Sequence, residues 1–282
     1  MERLYNTHMH NPQVPETLEG WSVLHHMYRV NWTKLRALSQ SVRAEIAAEA
    51  AQEFSSPGEA IGHNSLVHLL GHKADLMVTY FRHNFEELSK AQLRFSQVRL
   101  QEYLEMTTSY VSIVELGMYE MTAKIHQQLA ARSLQPGSPE FDRAFDEEMK
   151  QQRERVIGRL LPEFPRRRYV CFYPMNKKRG ETKNWYMEPF NDRSEMMLEH
   201  GIVGRNYAGK VTQIISGSIG FDDWEWGVDL FADDPLVFKK LIYEMRFDKA
   251  SAIYAEFGPF YIGLQFSASN LPQLIEGQTP SL

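Results

Sequence analysis

The chain has 282 residues, 43% of them hydrophobic and 24% charged, as in a soluble globular protein of one or two domains. Its apolar runs are short and its N-terminus lacks an apolar signal core, so we expect neither a transmembrane helix nor secretion. The single cysteine, Cys171, excludes an internal disulfide framework. With 31 basic and 36 acidic residues the net charge is −5, which argues against nucleic acid as the main partner. A cytoplasmic protein is expected.

After an irregular arm at 1–19, the first half of the sequence predicts the order β-α-β-β-α-β. Apolar spacing of three and four predicts a helix over about 31–54, ended by a Ser-Ser-Pro-Gly stretch. Asn84, with Glu87 three residues later, predicts the N-terminal cap of a second helix. The predicted strands are 20–30, 64–70, 75–82 and 107–117.

The second half repeats this order. Its first helix is expected over 189–200, because Pro189 lies near the start and Gly201 just past the end. Its second helix begins at Asp234-Pro235. The predicted strands are 168–175, 211–215, 224–230 and 250–257, with 259–266 as an extension of the last.

Two such units imply two ferredoxin-like halves, at 20–117 and 166–266. Each half has a four-stranded antiparallel sheet with helices on one face, so the other face needs a cover. The simplest cover is the sheet of the other half. The predicted fold is therefore α+β, with the two halves forming a barrel of the dimeric type within one chain. Residues 118–165 are expected to be a charged helical linker, and 267–282 a loose polar tail.

His200 is the most informative of the ten histidines. It is predicted to end the 189–200 helix, next to the apolar Met196 and Met197. A lone neutral imidazole on an apolar face suits a single proximal haem ligand. A histidine that merely interacts with the C-terminal helix dipole is the alternative. The other histidines lack ligand spacing, so no multi-ligand zinc site is expected.

The stretch 166–179, RRRYVCFYPMNKKR, contains six basic residues and no acidic one. A tyrosine such as Tyr173 beside a cationic rim suits a polyanionic planar ligand. Single-stranded nucleic acid, or a strand with solvated basic ends, are the alternatives. Gln213 lies between apolar residues of a predicted strand, where its amide needs a hydrogen-bond partner. A ligand or an iron-bound oxygen species meets that need, and a satisfied core or edge glutamine is the alternative.

Three long motifs resemble the coproheme decarboxylases of the chlorite dismutase-like superfamily. They are YPMNKKR at 173–179, the segment 184–231 that contains HGIVGRNYAGKVTQIISGSIGFDDWEWGVDLF, and YEMRFDKASAIYAEFG at 243–258. The resemblance is dense across 155–265 and continues across 20–117. It implies the same paired ferredoxin-like barrel, a homopentamer, and a transient contact with the upstream ferrochelatase. The 118–165 linker departs from the family pattern in being longer and more charged.

The resemblance also implies a reaction. Iron coproporphyrin III (coproheme) is both substrate and redox cofactor, and haem b is the product. Two propionates are oxidatively decarboxylated to vinyl groups, with hydrogen peroxide as oxidant, after a tyrosyl radical takes hydrogen from a propionate carbon.

The family roles fall on residues of this chain. Tyr173 matches the radical-forming tyrosine and Lys177 the lysine near the reacting propionates. His200 matches the proximal iron ligand, and Gln213 the distal glutamine. The remaining cofactor-binding residues that the resemblance implies are the propionate contacts Arg159, Tyr119 and Ser251 and the pocket residues Pro174, Met175, Asn176, Trp185 and Trp226.

Two other functions use the same fold. A chlorite dismutase-like haem enzyme goes with a distal arginine, and this sequence has Gln213 there, with no arginine over 211–215. A non-catalytic haem or porphyrin carrier needs no redox tyrosine, so Tyr173 together with Lys177 argues against it.

Overall fold

The elements follow one another as two β-α-β-β-α-β units in a computed structural model that describes residues 14–55 and 62–282. The strands are β1 (Thr17–Val30), β2 (Gly62–Leu69), β3 (Leu76–Arg82), β4 (Leu104–Gly117), β5 (Tyr169–Lys177), β6 (Thr212–Gly217), β7 (Trp226–Ala232), β8 (Ala255–Phe257) and β9 (Tyr261–Phe266). The α-helices are α1 (Trp32–Arg36), α2 (Gln40–Ser55), α3 (Phe85–Ser96), α4 (Tyr119–Ala131), α5 (Pro139–Leu160), α6 (Phe190–Arg205), α7 (Leu236–Met245), α8 (Lys249–Ala252) and α9 (Leu271–Ile275). Over the described ranges, none of these helices combines the length and the apolar character needed to cross a bilayer.

The strands close into an antiparallel barrel. The first half has the order β4-β1-β3-β2, and in the second half β7 lies between β6 and β5, with β8 and β9 on the far edge of β5. The halves are joined edge to edge twice, by the pairs β4–β6 and β2–β9. The predicted α+β barrel of two ferredoxin-like halves is confirmed, and its two sheets form one continuous ring. The domain boundaries at 20–117 and 166–266 stay a prediction.

The inside of the barrel is packed with apolar side chains and crossed by polar contacts between the halves. Nε2 of His25, on β1, lies 3.0 Å from a carboxylate oxygen of Asp229, on β7. Both side chains are buried, with 0% and 3% of their surface exposed. Ser112 of β4 donates to Ser216 of β6 at 2.8 Å. Apolar packing is non-directional, whereas these hydrogen bonds join specific residues of the two halves.

The outer faces of the barrel are covered by helices, as expected for ferredoxin-like units. In the first half, α2 and α3 bury Ile46 and Phe95 against Tyr28 of β1. In the second half, α7 buries Leu241 against the apolar face that contains Val228. This second outer face is where most of the predicted site residues of β5, β6 and β7 lie.

The helix predicted over 189–200 is longer than expected. It runs to Arg205, so Gly201 lies inside it and does not cap its end. The helix continues because Val203 packs on the apolar cluster of the second half and α6 contacts α7. The prediction that His200 ends the helix was wrong, and with it the alternative that His200 acts on the C-terminal dipole.

The strand predicted over 250–257 was also wrong in its first part. Asp248 accepts a hydrogen bond from the backbone N–H of Ser251 at 2.8 Å and caps the short helix α8, so β8 begins only at Ala255. The segment 259–266 forms a separate strand, β9, from Tyr261. Period-two spacing in the strand predicted over 224–230 puts Trp224 on the face of Val228. In the structure Trp224 instead precedes β7 and packs toward the barrel interior.

The C-terminal segment 267–282 is not loose, contrary to prediction. Helix α9 buries Leu271, Leu274 and Ile275 against the first-half core, and Arg43 of α2 donates to both carboxylate oxygens of Glu276 at 2.8 and 2.9 Å. The apolar residues have the i, i+3, i+4 spacing of an amphipathic helix, which the surrounding polar composition obscured.

The remaining differences concern the first half and the linker. The helix predicted over 31–54 is split into α1 and α2, because the Ser39 hydroxyl accepts from the N–H of Val42 and starts a new helix. The linker contains α4 and α5, which bury Phe141 and Phe145 between them. The arm predicted at 1–19 gives way to β1 at Thr17. Residues 1–13 and the predicted Pro-Gly helix stop lie outside the described residues.

Candidate active site

The outer face of the second-half sheet carries several predicted site residues. Side chains alternate along a strand, so Tyr173 and Met175 of β5 point to the same side. The register pairs Met175 with Trp226 of β7, and Gln213 of β6 with Leu230 of β7. Directly paired residues share a face, and Tyr173, Met175 and Leu230 pack in one apolar cluster outside the barrel. The sheet therefore brings Tyr173, Met175, Gln213 and Trp226 to one face. Gln213 is exposed there rather than enclosed in the core.

Tyr173 is buried among aromatic rings. Its ring stacks on Phe260 with centroids 4.6 Å apart and lies 5.7 Å from the ring of Phe257. Burial raises the pKa of the phenol well above its ordinary value, Cys171 adds to the rise, and the positive charge of Arg246 opposes it. The phenol therefore stays protonated at neutral pH.

Lys177 is the buried cation of the site. Its ammonium donates to the carbonyl of Ala250 at 3.0 Å and lies 4.5 Å from the ring centre of Trp185. Burial lowers the pKa of Lys177 to about 8, and the nearby carboxylates of Asp248 and Glu225 oppose that shift. At neutral pH the side chain is mostly charged but close to its titration range. It is suited both to pairing with a carboxylate and to giving up a proton.

His200, on α6, is held by a carboxylate. Its Nδ1 lies 3.0 Å from Oδ2 of Asp248, and its side chain is 30% exposed. Burial alone would raise the pKa of Asp248, but hydrogen bonds from His200 and Ser251 outweigh it and lower that pKa. Asp248 is therefore a carboxylate, which accepts hydrogen bonds and donates none.

Ser251 belongs to the same arrangement. Its hydroxyl donates to Oδ2 of Asp248 at 3.2 Å and lies 3.3 Å from Nδ1 of His200. The carbonyl of Ala250 accepts from Lys177. The turn of α8 therefore contacts both His200 and Lys177. The predicted role of Ser251 as a propionate contact stays a prediction, and the structure adds this contact with His200.

Tyr119 and Trp185 form an aromatic wall next to Lys177. Their ring centroids are 6.3 Å apart, and Trp185 also lies 5.3 Å from the ring of Tyr254. Tyr119 further contacts Phe190 of α6 at 5.8 Å. The first residue of the linker helix α4 is thus brought to the predicted site, which sequence patterns alone did not fix.

Two predicted residues of β5 point the other way. Pro174 lines a cavity of about 380 Å³ on the barrel side of the sheet, together with Phe172 and Tyr261. The side-chain oxygen of Asn176 accepts from the backbone N–H of Glu225 at 2.7 Å. The side chains of Pro174 and Asn176 are therefore not on the face of Tyr173, because strand residues alternate.

Arg159 lies in the exposed last turn of α5, which packs on β1, β4 and α4. Its part in a site with Tyr173 stays a prediction.

Two residues near the site were missed in the sequence. Arg246 stacks its guanidinium 4.1 Å from the ring centre of Phe257, next to Tyr173. Asp248 was hidden within a segment predicted as the approach to a strand. The Asp-x-x-Ser spacing that it forms with Ser251 is an N-cap pattern, so that signal was present.

The residues fit an iron porphyrin that carries carboxylates. The hydrogen bonds of the His200 ring involve Nδ1, which leaves Nε2 as the nitrogen that would hold iron. Lys177 and Arg246 supply positive charge for carboxylates. Tyr173 and Trp185 add buried aromatic rings to the same site.

Comparison with known proteins agrees with this fit. The chlorite dismutase family model matches residues 43–266. A coproheme decarboxylase of Staphylococcus saprophyticus is 42% identical over 93% of this chain and 98% of its own length. A haem-binding protein of Thermus thermophilus is 38% identical, with a TM-score of 0.79, over 95% of this chain and 99% of its own. A chlorite dismutase variant of Candidatus Nitrospira defluvii is 18% identical, with a TM-score of 0.69, over 92% of this chain and 96% of its own, and shares the fold. The chain belongs to the chlorite dismutase family and is similar over nearly its whole length to the coproheme decarboxylases within it.

Proposed function

We propose that this protein is an enzyme that converts iron coproporphyrin III to haem b by decarboxylating two propionates with hydrogen peroxide. For each propionate the balance is R–CH₂–CH₂–COO⁻ + H₂O₂ + H⁺ → R–CH=CH₂ + CO₂ + 2 H₂O. The propionate loses two electrons, and the peroxide takes them up. Coproheme is therefore the substrate and also the redox centre.

One observation carries the proposal. A buried tyrosine and a buried lysine lie four residues apart on β5, and the lysine contacts the turn that holds His200. An apolar residue at either position would avoid the free-energy cost of burying a phenol or an ammonium group. Packing alone therefore does not account for these two side chains. The similarity to coproheme decarboxylases over nearly the whole chain supports the same reaction.

Tyr173 carries hydrogen in this proposal. When bound, the iron porphyrin supplies the centre at which peroxide is reduced. Tyr173 gives up an electron and its phenolic proton, and the resulting radical takes a hydrogen atom from the propionate carbon attached to the ring. Tyr173 is then again a phenol. Loss of CO₂ and of one further electron, which is used like the first to reduce peroxide, leaves the vinyl group.

Lys177 holds the carboxylate that is to leave and moves a proton. Its charge pairs with the propionate, and its pKa of about 8 lets it release or regain a proton near neutrality. Gln213 is proposed to donate a hydrogen bond on the distal side. Arg159, Tyr119 and Ser251 are proposed as contacts for the propionates, and Met175, Trp185 and Trp226 as walls, with Pro174 and Asn176 contributing through the backbone of β5.

Replacing Lys177 by methionine is expected to slow decarboxylation and yet stabilise the protein. Below about pH 8 the lysine is charged in the folded and the unfolded state, so its burial costs folding free energy that methionine avoids. We expect the free energy of unfolding to rise by about 1–3 kcal/mol at pH 7. The difference should shrink as pH rises from about 8 to 10.5, where unfolded lysine also loses its proton.

Urea unfolding at several pH values measures this, with the exposed Lys183→Met as matched control. If Lys177→Met is less stable than wild type at pH 7, the contacts of the buried ammonium outweigh the cost of its desolvation, and the prediction is wrong.

Replacing His200 by alanine is expected to remove the iron ligand. The absorption spectrum of bound coproheme should change in the Soret region and its affinity should fall, because an imidazole–iron bond is lost. The exposed His72→Ala should leave both unchanged. An unaltered Soret band in His200→Ala would remove His200 as the ligand.

A haem or porphyrin carrier is the second candidate, since the similar Thermus protein is described as haem-binding. Titrating purified protein that is loaded with iron coproporphyrin III with peroxide distinguishes an enzyme from a carrier. Appearance of haem b on chromatography, through a one-vinyl intermediate, supports the enzyme. Tight binding with bleaching only supports the carrier. Oxygen release from chlorite by the haem b form would support a chlorite dismutase-like activity instead.

The resemblance to the family also supports assembly and location. We propose a homopentamer, of five times the 32.8 kDa chain, measurable by light scattering. We further propose a cytoplasmic protein that receives coproheme through transient contact with the ferrochelatase.

A further inference from the structure

We infer that Tyr254 is a second redox-active tyrosine, which gives an electron to the porphyrin site through Trp185 and a proton to Glu188 when no propionate is in position to react. This rests on the proposed function in one respect, the reduction of peroxide at a bound iron porphyrin. It concerns a different form of the protein, the one that holds the product, haem b.

Tyr254 packs against the aromatic wall of the site. It follows α8, its side chain is 4% exposed, and its ring centre lies 5.3 Å from that of Trp185 in an edge-to-face arrangement. The ring of Trp185 lies in turn 4.5 Å from the ammonium of Lys177. The backbone carbonyl of Tyr254 accepts from the N–H of Lys178 at 2.7 Å, which fixes it beside the end of β5. Two adjoining rings therefore lead from the proposed propionate cation to the phenol of Tyr254.

The phenol of Tyr254 has a proton acceptor. Its hydroxyl donates to Oε1 of Glu188 at 2.5 Å, and Glu188 is half-buried, just before the start of α6. Burial, together with the bond to Glu188 and its negative charge, raises the pKa of Tyr254 to about 12, so the phenol is protonated at neutral pH. Removing an electron makes a phenol a strong acid, and a carboxylate in hydrogen-bond contact takes up the proton. Because Glu188 reaches solvent, that proton can leave the protein.

Two other phenols near the site lack this combination of a ring contact and a base. Tyr119 contacts the ring of Trp185, but the hydrogen bonds to its phenol come from donors, Trp185 among them. Tyr186 bonds to the carboxylate of Glu225, but its side chain is 41% exposed and has no ring contact within the described part of the chain. Of these three phenols, Tyr254 is the one that has both an aromatic path to the site and a proton acceptor.

The step balances in atoms and electrons. It is Tyr254–OH + Glu188–COO⁻ → Tyr254–O• + Glu188–COOH + e⁻, and the electron passes through Trp185 to the site. There two electrons and two protons reduce one H₂O₂ to two waters. A small one-electron reductant such as ascorbate restores the phenol, as Tyr254–O• + Glu188–COOH + e⁻ → Tyr254–OH + Glu188–COO⁻. Two such turns per peroxide use up oxidising equivalents that would otherwise oxidise the bound porphyrin.

Glu188→Gln separates this role from a structural one. The amide oxygen of glutamine still accepts from the Tyr254 hydroxyl, so the hydrogen bond is kept, but an amide is too weak a base to hold the proton. Tyr254→Phe removes the phenol and keeps the ring on Trp185. Tyr207→Phe is the matched control, because Tyr207 donates to Glu244 at 2.7 Å and, within the described residues, has no ring contact with Trp185.

Rapid freeze-quench EPR of the haem b form mixed with peroxide measures the radical. All the proteins also carry Tyr173→Phe, so the radical proposed for decarboxylation does not contribute. We expect a tyrosyl signal, identified by its change when ring-deuterated tyrosine is incorporated, in this background and with Tyr207→Phe. It should be lost with Tyr254→Phe. With Glu188→Gln it should form at least about 10²-fold more slowly, since a positioned proton acceptor contributes about 10²–10⁴-fold. In both variants the Soret absorption should bleach after fewer equivalents of peroxide.

The failures of the inference and of the proposed function are distinguishable. An unchanged tyrosyl signal in a folded Tyr254→Phe protein would overturn the inference, whatever happens to coproheme. A signal lost with Tyr254→Phe, in a protein that releases no CO₂ from coproheme, would overturn the proposed function and support the inference. A signal that forms as fast with Glu188→Gln as with Glu188 would overturn the proton transfer and the inference with it. If Tyr254→Phe does not fold, the Glu188→Gln comparison decides in the same way.

Discussion

Tyr173→Phe is expected to bind coproheme normally and to lose its decarboxylation. Phenylalanine keeps the stacking on Phe260 but has no phenolic hydrogen to give up. Positioned proton carriers contribute about 10²–10⁴-fold to rate, and Tyr173 is proposed to carry an electron as well, so we expect a loss of at least about 10²-fold. Affinity should stay within about threefold, since the ring surface is retained.

Tyr169→Phe is the matched control, because Tyr169 lies on the same strand and packs on the same apolar cluster. It should keep wild-type turnover. Measured with iron coproporphyrin III and peroxide, full conversion by Tyr173→Phe would show that the radical forms elsewhere or not at all.

Asp229→Ala is expected to lower the free energy of unfolding more than the replacement of any single surface residue. It removes the partner of Nε2 of His25 inside the barrel, and Nδ1 of His25 already has no hydrogen-bond partner in the described residues. A fully buried imidazole with both nitrogens unsatisfied costs about 3 kcal/mol or more. The contact also joins β1 of one half to β7 of the other, so its removal weakens the contact between the two halves of the barrel.

Urea unfolding of the apoprotein at one fixed protein concentration measures this effect. Asp233→Ala, four residues later, removes an exposed partner of Arg167 and is expected to move the midpoint far less. Equal midpoints for Asp229→Ala and wild type would show that the barrel interior does not depend on this contact.

Most of the barrel was predictable because its signals are local. The segments 20–30 and 107–117 were predicted as strands, and the observed β1 and β4 differ from them only at their ends. The errors arose where tertiary packing overrode a local signal. Gly201 is tolerated within α6 because that helix is held by its contacts with the sheet and α7.

The site was predictable in part for the same reason. Tyr173 and Lys177 share a strand face, and period-two alternation alone would have set Pro174 and Asn176 on the other side. Asp248 was missed because its role depends on a contact with His200, 48 residues away, and no local pattern reports such a contact. The position of Tyr119 depends likewise on how α4 packs beside Trp185.

A carbon balance on the reaction decides whether coproheme is the substrate. Iron coproporphyrin III labelled with ¹³C in its propionate carboxyl groups is mixed with the protein and peroxide, and both CO₂ and porphyrin are quantified by mass spectrometry. The proposed reaction predicts two labelled CO₂ molecules for every haem b formed, with two peroxides consumed. Bound coproheme that is bleached or released with all its carboxyl groups, and no labelled CO₂, would contradict it.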